Sequence, residues 1–183
     1  MVKVCSSTSS VPRSGWRLRL EAQTGRRRLH ELALQEAQRR FHRVELDLAE
    51  VASRGRHTVD LTLKLRAARQ SQVDGAPGHY TLGGFHQLSG YETDQLSGDG
   101  VLLGRLTWQV RLTGRPVLTR GVFAGMTLEA GNAWALPREM RLTPLRWGTS
   151  AFLAADTGIG PLYLGLTWAP QGRAGITLRL GRP

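Results

Sequence analysis

Residues 59–67 read Val-Asp-Leu-Thr-Leu-Lys-Leu-Arg-Ala. Val59, Leu61, Leu63, Leu65 and Ala67 alternate with Asp60, Thr62, Lys64 and Arg66. A period of two sends one class to each face of an extended strand, whereas a helix needs a period near 3.6. The stretch is therefore a β-strand with one apolar and one charged face.

The same alternation spreads outward in both directions. Trp16, Leu18, Leu20 and Ala22 alternate with Arg17, Arg19, Glu21 and Gln23, and Val44, Leu46 and Leu48 with Glu45, Asp47 and Ala49. Downstream, Leu102, Leu106, Trp108, Val110 and Leu112 oppose Leu103, Arg105, Thr107, Gln109 and Arg111. Leu162, Leu164, Leu166 and Trp168, then Ile176, Leu178 and Leu180, repeat the theme. Two weaker strands, 117–130 and 148–156, bring the total to about eight. Turns at Ser53–Arg56, Thr113–Pro116 and Thr157–Pro161 each carry glycine, and two carry proline, where a ladder must stop. Residues 26–42 approach helical spacing through Leu29, Leu32, Ala33, Ala37 and Phe41. With basic residues flanking them, a membrane-surface or nucleic-acid helix is one reading; a loop extension or a continuation of the flanking strands is the favoured one.

The formal net charge is +11, and with only Lys3 and Lys64 as lysines, 23 of the 25 cationic residues are arginine. Such charge raises nucleic acid as a partner. A nucleic-acid groove, however, clusters cations with stacking aromatics. Here the arginines spread over five or more strands, on the face opposite most strand aromatics, so no nucleic-acid partner is expected. The 40% hydrophobic content excludes a disordered chain. A single Cys5 excludes an internal disulfide and a thiolate metal cage, and the five histidines lack paired ligand spacing, so no metal or cofactor is expected. No Gly-x-Ser-x-Gly elbow occurs and Gly83–Gly84 opens no helix, which leaves no catalytic residue and no phosphate loop. The chain reads as a non-enzyme.

Alternation alone leaves open which face meets water. In a soluble barrel the apolar face points inward; in a membrane barrel it meets lipid and the lumen is polar. Three features favour the membrane sense. The apolar face is built of Leu and Val, with Trp16 and Trp168 near strand ends as in interfacial girdles. Arg, Lys, Asp and Glu share the other face. Connections alternate between short (53–56, 113–116, 157–160) and long (24–42, 68–98, 131–147), as in outer-membrane barrels, and only the last, 169–173, breaks the pattern by being brief. The expected lipid-facing set is Trp16, Leu61, Leu63, Leu65, Trp108, Leu164, Leu166 and Trp168. No window approaches the ~20 apolar residues of a membrane helix. Residues 1–13 are polar, read as a disordered segment without a signal peptide, and 14–183 as the barrel domain.

Between two clean strands lies Leu-Gly-Gly-Phe-His-Gln-Leu-Ser-Gly-Tyr-Glu-Thr-Asp-Gln-Leu-Ser-Gly (82–98). It reads as a glycine-hinged loop that packs back on the structure through aromatic anchors. Its core residues are Gly83, Gly84, Phe85, Leu88, Ser89, Gly90 and Tyr91. LGGFHQLSGY (82–91), LEAGNAW (128–134) and ADTGIGPLYLGLTW with GITLRLGRP (155–183) together resemble the bacterial surface-antigen superfamily of outer-membrane assembly barrels. Within it, LSGY and the Leu-Gly-Arg-Pro ending are most similar to the barrel that follows a patatin-like phospholipase domain. The resemblance implies an antiparallel up-and-down transmembrane β-barrel whose eight strands are the C-terminal half of about sixteen. It implies localisation in the outer membrane and a type V secretion role, anchoring and helping translocate a hydrolase domain absent from this chain. Its partners would be the lipid bilayer, the outer-membrane assembly machinery and that N-terminal patatin-like domain.

Two departures stand out. The assembly barrels carry Arg where Ser89 stands, and a serine offers only a neutral hydrogen bond. The family's last strand commonly ends in an aromatic, whereas this chain ends Arg182-Pro183. Glu129 is the candidate lumen contact of the loop, with Arg105 and Arg111 beside it. A fragment of an assembly or transport barrel is the alternative within the class; a soluble basic β-sandwich that binds polyanions is the alternative outside it. Half a barrel would leave two raw edges.

Overall fold

A computed structural model describes residues 2–4, 13–29, 37–70, 80–113 and 119–181. The elements are β1 (Val2–Val4), β2 (Arg13–Leu29), β3 (Ala37–Arg54), β4 (His57–Gln70), β5 (Tyr80–Leu82), β6 (Leu96–Gly98), β7 (Gly100–Thr113), β8 (Thr119–Trp134), β9 (Arg146–Thr157), β10 (Gly160–Trp168) and β11 (Gly175–Leu180). Eight of these are long strands, and the described residues contain no α-helix. Cys5, the turn at 114–116 and the Arg182-Pro183 ending lie outside the described residues. Residues 26–29 and 37–42, with near-helical spacing, continue β2 and β3 as strand.

One antiparallel sheet runs in the order β1-β2-β3-β4-β7-β8-β9-β10-β11, and β5 pairs with β6 in a separate ribbon. Each long strand pairs with the one before it, the up-and-down meander expected from short turns. The expected barrel does not close: among the described residues β11 pairs with β10 alone, and β2 has only the three-residue β1 beyond it. Closure requires a partner for every edge, and eight long strands here meet seven neighbours in series.

The sheet is nonetheless curled. Arg17 of β2, Ala49 of β3, Thr62 of β4, Arg105 of β7, Phe123 of β8, Phe152 of β9 and Tyr163 of β10 line a single cavity of about 590 Å³. Seven flat strands at ~4.8 Å spacing would spread these groups over roughly 29 Å, too far to share it.

Register assigns the faces. Val59, Trp108, Met126, Ala151, Leu166 and Ile176 lie in one cross-strand row, and Leu61, Leu106 and Leu128 in the next row along the strands. This face is bare: Leu61 is 48% exposed, Leu166 60% and Ile176 76%, and Trp16, Leu63, Trp108, Leu164 and Trp168 are exposed as well. Leu65 is half-buried. The first row crosses six strands, roughly 24 Å, well beyond the apolar patches of ordinary soluble monomers.

The core lies on the opposite face. Leu82, Leu88 and Tyr91 of the loop pack with Val101, Leu103 and Ala169, and Phe85 packs with Phe152 and Ala154. Charged residues occupy the same face. Arg66 pairs with Asp47 at 2.6 Å and Glu45 at 3.4 Å, Arg43 also pairs with Glu45, and Tyr80 donates its hydroxyl to Glu45 at 3.2 Å.

An open edge has a signature in hydrogen exchange. Amides of β7 and β8 are expected to be protected throughout, while β11 shows slow and fast amides in alternation, because only every second N–H points to β10. Uniform protection along β11 would mean that its outer edge is paired.

Candidate functional site

The loop between β5 and β6 is seated on the charged face. Its neck is a three-pair ladder, Tyr80–Gly98, Thr81–Ser97 and Leu82–Leu96, reinforced by Thr81 Oγ1 donating to Asp94 Oδ1 at 2.5 Å. Inside the loop, the Gly83 amide donates to the Gln87 carbonyl at 2.8 Å, Gln87 to Gly84 at 3.0 Å and Gly84 to Tyr91 at 3.2 Å. Turns this tight push His86 (φ 62°), Leu88 (φ 84°) and Asp94 (φ 59°) into left-handed conformations. For a leucine that costs about 1–3 kcal/mol and needs compensation from its surroundings.

The compensation comes from packing and from one carboxylate. Leu88 is fully buried, a gain of about 1.5–3 kcal/mol. Its amide and the next one, Ser89 N–H, both donate to Glu129 Oε2, the first at 2.9 Å. Two successive N–H groups turned to one point form an anion-binding nest. Glu129 Oε1 accepts the Ser89 hydroxyl at 3.1 Å and the Thr127 hydroxyl at 2.8 Å, and Thr127 is tied to Ser150 at 2.8 Å. Glu129 is 0% exposed. A carboxylate so buried survives only with its lone pairs saturated, and four donors do that here.

Arg105 clamps the loop from the neighbouring strand. It donates to the His86 carbonyl at 3.0 Å and to Thr62 Oγ1 at 3.4 Å, and lies 3.8 Å from Asp60. Register makes this one row: Thr62 pairs with Arg105, Arg105 with Glu129, and Glu129 with Gly148. A Cβ on Gly148 would strike the Ser89 backbone, and one on Gly165 would lie 2.6 Å from the Phe85 ring. Bare backbone at these two positions is what lets the loop lie flat.

An aromatic box closes over the other side. The His86 ring stacks on Phe85 at 4.0 Å and meets Phe152 at 4.9 Å and Tyr163 at 5.7 Å. Burial, helped by Arg105 and Arg179, lowers the His86 pKa from 6.5 to about 3. His86 Nε2, Arg105 Nε and Tyr91 Oη are buried without a hydrogen-bond partner.

The expected site residues are thus placed as follows. Leu88, Ser89, Glu129 and Arg105 come together, Phe85 sits in the aromatic box and Tyr91 in the core, with the Arg146 guanidinium 5.7 Å from the Tyr91 ring. Gly83 and Gly84 are less a hinge than a packed turn, since a Cβ at Gly83 would overlap the Glu92 carbonyl. The Gly90 carbonyl accepts Arg173 N–H at 2.7 Å. Arg111 shares the face and lies over the Phe123 ring at 5.2 Å. The neutral serine at position 89 does not release the loop, because backbone amides do most of the gripping. Sequence reading missed Thr127, Ser150, His86, Phe152 and the two glycines. Strand parity alone puts Thr127, Gly148, Ser150, Phe152 and Gly165 on the Glu129 face. Among the described residues no cluster of His, Cys, Asp or Glu could hold a metal ion.

No protein-family model matches the chain, and a search of curated proteins finds no significant match.

Three outcomes are expected. Glu129→Ala strands two buried amides and weakens loop docking by about 2–5 kcal/mol, whereas Glu129→Gln, which keeps an acceptor oxygen, costs less. Chymotryptic cleavage at Phe85 and Tyr91 reads both. Gly148→Ala should expose the same sites, since the atoms in its way are backbone. Third, the docked loop favours neutral His86, so docking is fully supported above pH 6.5 and loses support as pH falls from there towards 3. Proteolysis at pH 7.5 and pH 5 measures this, and His86→Phe should flatten the difference.

Proposed function

We propose that this chain is a strand-built membrane anchor: the leucine face meets hydrocarbon, and the charged face with its folded-in loop forms the interior of an outer-membrane barrel. The observation that carries this reading is the inversion of the sheet. Its leucines and tryptophans are bare, while its salt bridges, buried carboxylate and loop lie together on the other face. That division suits a wall between lipid and a polar interior. The open edges suit a wall completed by further strands. No helix among the described residues is long and apolar enough to cross a membrane, so any crossing falls to the strands.

The finer assignment rests on the sequence resemblance. LGGFHQLSGY, LEAGNAW and the closing hairpin support a barrel that anchors a patatin-like phospholipase domain and assists its passage across the outer membrane. The fixed loop fits an interior that is plugged at rest. A soluble sandwich is less suited: the second sheet among the described residues is the two-stranded β5–β6 ribbon, which covers none of the bare leucine face.

Tryptophan quenching tests the reading. A variant keeping only Trp108 and refolded with vesicles should lose emission to lipids brominated in the acyl chain. An unquenched Trp108 in a chain that is monomeric and soluble without detergent would contradict it.

A further inference from the structure

One carboxylate interrupts the leucine face. The row of Leu61, Leu106 and Leu128 extends from β4 to Glu50 on β3 and then to Trp16 on β2. Glu50 is exposed; Trp16 and Leu61 are its cross-strand partners, and Leu48 and Ala52 are next to it along β3 on the same face. Its diagonal neighbours are Ser14 and Leu18 on β2 and Val59 and Leu63 on β4. None of these is a cation, and among the described residues Glu50 has no ion-pair partner.

On a face that meets water such a residue needs no explanation. On a face that enters hydrocarbon, a lone charge is costly near the midplane and cheap at headgroup level. The order of residues along β3 puts Glu50 at that level. Val44, Leu46 and Leu48 make the face apolar, Glu50 follows, and the exposed Arg54 ends the strand at the Gly55 turn. Trp16, directly opposite Glu50, is exposed as an interfacial aromatic would be.

Glu50 and Trp16 together suit one kind of group. Cβ atoms of directly opposed residues lie about 4.5–5.5 Å apart, so a cation held by the carboxylate also lies against the indole. Arg54 cannot be that cation: four residues along a strand are roughly 14 Å, too far for a direct pair. The gap between the two suits a zwitterion, with its cation at Glu50 and its phosphate at the Arg54 guanidinium. A basic peptide would satisfy the carboxylate and leave the surrounding leucines bare. A phospholipid answers both, since its acyl chains would run along Leu48 and Leu61. Of the zwitterionic headgroups, a primary ammonium offers the carboxylate three N–H donors and a trimethylated one offers none.

We propose that Glu50, Trp16 and Arg54 form a site for a phospholipid with an ethanolamine headgroup, its ammonium on the carboxylate and indole and its phosphate on the guanidinium. This rests on the membrane reading above and adds a headgroup preference at one rim of the sheet.

The test is native mass spectrometry of the full chain refolded in an uncharged detergent, with phosphatidylethanolamine and phosphatidylcholine offered in equal amounts. The two lipids carry the same net charge, so a preference reports the ammonium itself. The wild type should retain phosphatidylethanolamine in preference by about fivefold, the factor that ~1 kcal/mol gives. Glu50→Gln should abolish the preference. Equal retention of both lipids by the wild type, or a preference that survives Glu50→Gln, overturns the proposal and leaves the anchor intact. Retention of neither lipid also overturns it, and an unquenched Trp108 in vesicles would overturn the membrane reading as well. If Glu50→Gln does not fold in detergent, the wild type decides: stepwise N-methylation of the ethanolamine lipid should lower retention at each step, and a flat series overturns the proposal.

Discussion

The buried carboxylate of Glu129 holds the interior of this sheet together. An ion fully removed from water imposes a desolvation penalty that only saturated hydrogen bonding offsets. Here the offset comes from two consecutive loop amides and two hydroxyls. The dependence runs both ways. Without the loop Glu129 would lose three of its four donors, and without Glu129 the left-handed turn at Leu88 would keep its strain and lose its anchor. Arg105 adds a second tie, to the His86 carbonyl, from the adjacent strand of the same register row.

This arrangement explains why the protein is built on what would be the outside of an ordinary soluble sheet. The loop supplies Leu82, Phe85, Leu88 and Tyr91 as a core for a largely polar face; Val101 and Leu103 receive Leu82, Leu88 and Tyr91, and Phe152 and Ala154 receive Phe85. The leucine rows have no such cover. Three buried polar atoms at the loop seat, on His86, Tyr91 and Arg105, remain without partners.

Much of the fold was legible. Period-two alternation survives in all the long strands because one face is predominantly apolar, with Glu50 between Trp16 and Leu61 as a charged exception, and register cannot slip by one residue without inverting both faces. The eight long strands and their order follow from it. Closure was not legible, because alternation assigns the two faces of each strand and says nothing of whether the first and last strands meet. At the site, Glu129 stood out through its resemblance block, but its binding partners are largely backbone amides, which carry no sequence signature. Ser89 therefore looked weaker than an arginine would, although the nest made by Leu88 and Ser89 needs no cation. His86 gave no signal as a lone histidine; its place in the aromatic box depends on Phe152 and Tyr163, which are distant in sequence. Gly148 and Gly165 read as ordinary strand glycines until the loop lies on them.

The most direct test of the account is NMR of the labelled chain in detergent micelles, observing the amide protons of Leu88 and Ser89 and their scalar coupling to the Glu129 carboxyl carbon. Both amides should be shifted well downfield, slow to exchange and coupled to that carbon, since they share one charged acceptor. Random-coil shifts with rapid exchange at both positions would show that the carboxylate does not hold the loop, and the account of the interior would fail with it.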